Sequence, residues 1–117
     1  FIDNMANAYA ISDLVISRSG AITCSEITHC GKPSILFPLK NSAGNHQLKN
    51  AKSLSKAGAA LAIEEDTVNE EKLASLIKNL IKSESKLKKM SANSIRLRYP
   101  NAALHISNSA LELLKNV

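Results

Sequence analysis

Within residues 17–27, SRSGAITCSEI, a glycine and several small hydroxyl or thiol side chains separate two apolar stretches, and one carboxylate, Glu26, stands near the end. The loop Arg18-Ser19-Gly20-Ala21-Ile22-Thr23 follows an apolar run and opens a predicted helix. Backbone amides that are unpaired and free of bulky neighbours at such a place can approach an anion closely, which is the chemistry of a phosphate site. Small residues also make good turns between a strand and a helix, and taken alone the loop favours that plainer role slightly. It holds no GxxxxGK[ST] and no GxGxxG pattern. A second polar stretch, PLKNSAGNHQLKNA over 38–51, brings His46, Gln47 and Asn50 into the first turns of another helix. Gln47 and Asn50 are three apart and share a face. Amide side chains carry donors and acceptors together, as the reading of sugar hydroxyls requires. By themselves these residues are better explained as solvent-facing polarity near a helix start.

Glu26 has two readings on the residues alone. Thr23-Cys24-Ser25-Glu26 fits the S/T-x-x-E capping box, in which Thr23 caps the helix and Glu26 reaches back to the Thr23 N–H, and this is the favoured expectation. The other reading uses the lean of helical side chains toward the N-terminus, which aims the carboxylate at the loop.

The elements that must hold these residues follow from periodicity. DLVIS (13–17), PSILFP (33–38) and, more weakly, AALAI (59–63) read as buried strands. Between them lie two helical stretches, one ending at Gly31 and one at Gly58, both placed where a left-handed C-terminal residue is wanted. The second carries Leu48, Ala51, Leu54 and Ser55 on one stripe. NEEKLASLIKNLIKS puts Leu73, Leu76, Ile77, Leu80 and Ile81 on one face of a strongly amphipathic helix. ESKLKKMSANSIRL and NAALHISNSALELLKNV give two more, parted at Tyr99-Pro100, and ANAYAIS is a short helix before the first strand. Alternation of this kind predicts one α/β domain over 1–117, an open parallel sheet with helices on both faces.

Composition bounds the rest. The 117 residues are 44% hydrophobic and 3% aromatic with no Trp, so one core is expected, built from aliphatic side chains. The net charge of +5 is concentrated between Lys78 and Arg98. That stretch reads first as a solvated helix face. As a binding patch it suits anionic lipid or a phosphorylated partner better than nucleic acid, because no aromatics interleave it. Cys24 and Cys30 stand about 240° apart on one helix and read as buried thiols that do not bridge. No metal site is expected from the ligand spacing. No apolar run approaches the ~20 residues of a membrane span and no signal-peptide layout opens the chain, so a cytosolic place is the default. The first residues, FIDNMANAYA, lack an initiator Met, and a piece of something longer is expected.

In order, FIDNMANAYAISDLVISRSGAITCSEI, GKPSILFP, NHQLKNA and KAGAA resemble the C-terminal domain of the bacterial peptidoglycan glycosyltransferases that add N-acetylglucosamine to lipid I. The resemblance is colinear over almost the whole chain and weakest in the Lys-rich tail. It implies a Rossmann-like parallel sheet with flanking helices, part of the C-terminal half of a GT-B glycosyltransferase. It also implies UDP-N-acetylglucosamine as ligand, with the Ile2 backbone and Met5 at the uracil and Glu26 on the ribose hydroxyls. The Ser19-Gly20 loop and the Ala21, Ile22 and Thr23 amides would lie near the diphosphate, Arg18 beside it, and His46, Gln47 and Asn50 at the sugar. Transfer in such enzymes inverts the anomeric centre with no tightly bound metal and no other cofactor. The family's glycine-rich loops and general base lie in an N-terminal half, as does most of the lipid I contact, so no catalytic residue is expected here and the chain alone is expected to be inactive. The family works at the cytoplasmic face of the inner membrane as a peripheral protein. The alternative is a split or non-catalytic UDP-sugar-binding subunit that needs a separate acceptor-binding partner.

Overall fold

A computed structural model of the chain describes residues 5–41 and 43–98, with side chains from residue 7 onward. The predicted helix over 101–117 and the break at Tyr99-Pro100 lie outside these residues. Three short strands, β1 (Val15–Ser17), β2 (Ser34–Leu36) and β3 (Ala60–Ala62), form a parallel sheet in the order β1-β2-β3. Helix α1 (Met5–Ile11) precedes β1, α2 (Ala21–His29) links β1 to β2, and α3 (His46–Lys56) links β2 to β3. Helices α4 (Glu70–Lys82) and α5 (Glu84–Arg96) follow. The expected α/β architecture is therefore present, with shorter strands than the apolar runs suggested.

The register assigns each side chain to a layer. Ile16, Ile35 and Leu61 are aligned across the sheet, as are Ser17, Leu36 and Ala62. Strand side chains alternate in direction, so the two rows face opposite ways. Leu36 joins Tyr9, Cys24, Ile27, Ala51 and Leu54 in a core under α1, α2 and α3. Ile35 joins Leu80 and Met90, with Leu76 and Ile77 against them, under α4 and α5. Ile27, Ile35 and Leu36 are wholly excluded from solvent, each contributing about 1.5–3 kcal/mol by burial. Ile16 is 46% exposed because it sits at the sheet edge beyond the cover of those helices. Ile81, read as part of the apolar face of α4, is 56% exposed: the buried stripe runs through Leu76, Ile77 and Leu80 and leaves it at the margin. Among the described residues no helix is long and apolar enough to cross a membrane.

Both crossover helices stop in the same way. Lys32 N–H bonds to Ile27 O and Gly31 N–H to Thr28 O, with Gly31 at φ 63°. Ala59 N–H bonds to Leu54 O and Gly58 N–H to Ser55 O, with Gly58 at φ 79°. These are Schellman turns, which need a residue that tolerates the left-handed region. Helix α5 closes over both. Ser91 Oγ donates to Gly31 O at 2.5 Å and Asn93 Nδ2 to Gly58 O at 3.2 Å, satisfying the carbonyls of the two turn glycines, and Ser94 Oγ lies 3.4 Å from Ile27 O, which already accepts from Lys32 N–H. Helix α4 begins at Asn69, whose side chain accepts from Lys72 N at 2.8 Å, with Glu70 and Glu71 in its first turn where the dipole favours acids.

A Cβ at Gly31 would overlap the Ile95 side chain of α5 as well as forcing a non-glycine residue to positive φ. Gly31→Ala is expected to cost about 2–4 kcal/mol in urea unfolding, from left-handed strain together with overpacking. In an Ile95→Ala background the same change is expected to cost only the ~1–2 kcal/mol of strain. Equal costs in the two backgrounds would mean that α5 does not pack on this turn.

Candidate functional site

Parallel strands send all their carboxyl ends to one edge, and the segments after β1, β2 and β3 gather there with the N-termini of α2 and α3. Gly20 precedes α2 in extended backbone, φ −63° and ψ 155°, and its carbonyl accepts the first helical bond from Cys24 N–H at 3.0 Å. The helix has therefore begun by Ala21, and no side chain caps it. The capping box expected at Thr23 does not form, because Thr23 already lies inside the first turn and Glu26 inside the second. The Ala21, Ile22 and Thr23 amides stand at the positions where a helix start has no intrahelical partners. A 3-10 turn, Ala43–Asn45, runs directly into α3; Asn45, at φ 55°, supplies no side-chain cap, and His46, exposed, is the first residue of α3.

The two helix starts are joined to each other. Ser19, wholly buried, donates from Oγ to Gln47 O at 2.7 Å, and its own carbonyl accepts from Asn50 Nδ2 at 3.0 Å. Gln47 Oε1 accepts from Leu39 N–H at 2.9 Å. The loops after β1 and β2 are thus held to α3 by the two amide side chains singled out from the sequence. Both amides spend part of their bonding capacity on the protein's own backbone, a role the sequence did not suggest.

Glu26 is half-buried on α2 and its Oε2 accepts from Tyr9 Oη at 2.8 Å. Tyr9 was not singled out by the spacing arguments. The available signal was a Tyr on a short helix before the first strand, since a buried phenol requires a hydrogen-bond partner. Of the two nucleoside-side residues, Ile2 lies outside the described residues, and Met5 is described only as the first residue of α1.

Arg18 is turned across the end of β2. Its Nη1 pairs with Glu65 in the turn after β3 and lies 3.4 Å from Phe37 O. Ser17, Arg18, Phe37, Glu65 and Leu73 line an open depression of about 440 Å³. Lys40 pairs with Asp66 at 2.5 Å, which raises the lysine pKa, through the hydrogen bond first, and lowers that of the carboxyl. The acidic turn Glu65–Thr67 thus takes up two of the cations near the site. Cys24 is buried as expected, while Cys30 is exposed, because it is the C-cap just past the end of α2 rather than on the helix's inner face; both are free thiols. Among the described residues no group of His, Cys, Asp or Glu is arranged to hold a metal ion.

A parallel β-α-β-α-β unit whose two helix starts are knit together at its carboxyl edge defines a Rossmann-like open α/β domain. The chain belongs to the glycosyltransferase family 28 C-terminal domain, which it matches over residues 1–106. It is 45% identical over 115 residues to the UDP-N-acetylglucosamine–N-acetylmuramyl-(pentapeptide) pyrophosphoryl-undecaprenol N-acetylglucosamine transferase of Anaeromyxobacter dehalogenans, covering 98% of this chain and 30% of that protein. A protein of the same name from Halothermothrix orenii is 48% identical over 100 residues, 86% of this chain and 27% of that one. The crystal structure of MurG from Acinetobacter baumannii superposes with a TM-score of 0.80 at 32% identity, over 100% of this chain and 32% of that one. The chain therefore spans about a third of the length of these relatives.

Two outcomes follow from the geometry. Asn50→Ala removes the bond to Ser19 O and is expected to cost about 1 kcal/mol in urea unfolding, while Lys49→Ala on the exposed side of the same helix is expected to cost nothing measurable. Equal costs would mean that the Asn50 bond does not hold the loop. The second concerns alkaline pH. Burial pushes the Cys24 thiol up to about 11, and burial followed by the bond to Glu26 raises the Tyr9 phenol well above its usual value. A folded state that keeps a proton longer than the unfolded chain loses stability as pH rises past the unfolded pKa. The unfolding midpoint is expected to fall from about pH 9 upward. Cys24→Ala should flatten the part of that slope between 9.0 and about 11; an unchanged slope would count against thiol burial as its cause.

Proposed function

We propose that this chain is a partial C-terminal nucleotide-sugar-binding domain over residues 1–117, and that it supplies the donor-binding part of an inverting N-acetylglucosaminyltransferase of peptidoglycan synthesis. Its donor would be UDP-N-acetylglucosamine and its acceptor lipid I, met through an N-terminal domain. The protein would be cytoplasmic and peripheral to the inner face of the membrane. The observation that carries the reading is the junction of the Ser19-Gly20 loop with the start of α3, which joins two helix starts that have no side-chain cap. The names and identities of the relatives agree with it.

In this reading the diphosphate lies against the Ala21, Ile22 and Thr23 amides, where helix partial charge and unpaired N–H groups offset its negative charge without a metal ion. Developing charge on the leaving UDP is met by the same groups, a contribution to transfer that needs no proton movement at the phosphate. Glu26 accepts from the ribose hydroxyls, and such charge-assisted bonds are stronger than neutral ones. Ile2 and Met5 border the uracil. His46, Gln47 and Asn50 face the sugar. For Arg18 to serve the phosphates it must leave Glu65. An exposed ion pair is worth about 0–1 kcal/mol, so a diphosphate competes for it readily.

Glu26→Gln tests the centre of this assignment. The helix start does not depend on Glu26, so melting should be nearly unchanged. UDP affinity, followed by the amide resonances of residues 19–23 and 45–50, should fall by about 1–3 kcal/mol. Binding of 2′,3′-dideoxy-UDP should barely change. A Gln variant that binds UDP as tightly as the parent removes Glu26 from the ribose.

A further inference from the structure

The phenol of Tyr9 meets Glu26 across seventeen residues of sequence, from α1 to α2, at 2.8 Å. Tyr9 is 5% exposed and its ring belongs to the core with Ile27, Leu36 and Leu54, so its position is set by packing on the sheet rather than by the hydrogen bond. Glu26 has no such anchor. It is half-buried on a helix face, and a glutamate there has three rotatable bonds and several competing rotamers. The fixed partner of the pair is therefore the tyrosine.

We propose that Tyr9 is a positioning residue for nucleotide binding: by donating to Oε2 from a fixed point in the core, it selects the Glu26 rotamer whose second oxygen is presented to the vicinal hydroxyls of a ribose. The inference rests on the reading of Glu26 as the ribose ligand. Its physical content is preorganisation. A long polar side chain that must be immobilised on binding costs about 0.5–1.5 kcal/mol, and a partner that immobilises it beforehand removes that cost from the binding step. Tyr9 suits the task because burial and the neighbouring carboxylate keep its phenol protonated, and hence a donor, throughout the neutral and mildly alkaline range. The bond also ties α1, which carries Met5 at its start, to the helix that carries Glu26, so that α1 and the carboxylate cannot shift independently.

Tyr9→Phe keeps the ring in the core and deletes only the donor. UDP affinity of the variant is expected to fall about three- to ten-fold, the range set by one immobilised side chain, with 2′,3′-dideoxy-UDP affinity unchanged. In a Glu26→Gln background the same change should have no further effect on UDP, because the carboxylate it orients is gone. Equal losses for UDP and the dideoxy analogue, or an equal loss in the Gln background, would overturn the proposal and leave Tyr9 a core residue with a satisfied hydroxyl. If Glu26→Gln itself leaves UDP affinity unchanged, the ribose reading fails and the inference with it. If Glu26→Gln weakens binding and Tyr9→Phe does not, the inference fails alone. A measurement on the parent protein guards against misfolding of the variant: the Glu26 carboxyl carbon and the Tyr9 ring resonances should move together on adding UDP and stay in place on adding the dideoxy analogue. Movement of the carboxyl carbon with a silent Tyr9 ring would also overturn it.

Discussion

The central strand is covered on both faces, and that burial dictates most of the architecture. Ser34, Ile35 and Leu36 have no solvent exposure, and β2 is paired on both edges by parallel neighbours. A parallel neighbour cannot be reached by a hairpin, so the chain must cross back over a face of the sheet, and α2 and α3 are those crossings. Each crossing begins at the carboxyl edge and ends at the opposite one. The polar loops and the helix starts thus collect on one side, and the Schellman turns collect on the other, where α5 covers them.

The two edges are stabilised by different means. At the turn edge, α5 supplies Ser91, Asn93 and Ser94 to carbonyls of the crossover segments, and positive φ at Gly31 and Gly58 admits the close approach. At the site edge, side-chain caps are missing from both crossover helices, and stability comes from Ser19, Asn50 and Gln47 bonding between segments rather than within them. The difference leaves the amides of Ala21, Ile22 and Thr23 uncapped while the loop that presents them is still held. A Ser or Asp at the Gly20 position would have capped α2 and taken up an amide that Gly20 leaves without a side-chain partner.

Charge follows the same division. The acidic turn after β3 engages Arg18 and Lys40 at the site edge, whereas the lysines of α4 and α5 are exposed, with Lys88 of α5 paired to Glu84 at 3.6 Å. These contacts are solvent-facing and exchange readily, so they order the surface without contributing much to stability.

The sequence by itself determined the alternation of strand and helix, the aliphatic core, the two glycine stops and the polar loops that face the site, because periodicity, β-branching and positive-φ glycines are local signals that burial of a sheet enforces wherever they occur. Leu48, Ala51 and Leu54 lay on one stripe for that reason. It also contained the family resemblance. Tertiary structure alone decided what Glu26, Ser19, Asn50 and Arg18 touch. The four-residue spacing of a capping box was satisfied at Thr23 to Glu26, yet Gly20 had already accepted the first helical bond, and a motif defined by spacing cannot say where a helix starts. Tyr9 with Glu26, Ser19 with Asn50 and Arg18 with Glu65 are seventeen or more residues apart along the chain. Such pairs are created only when the parallel sheet brings distant segments to one edge, and no local pattern encodes them.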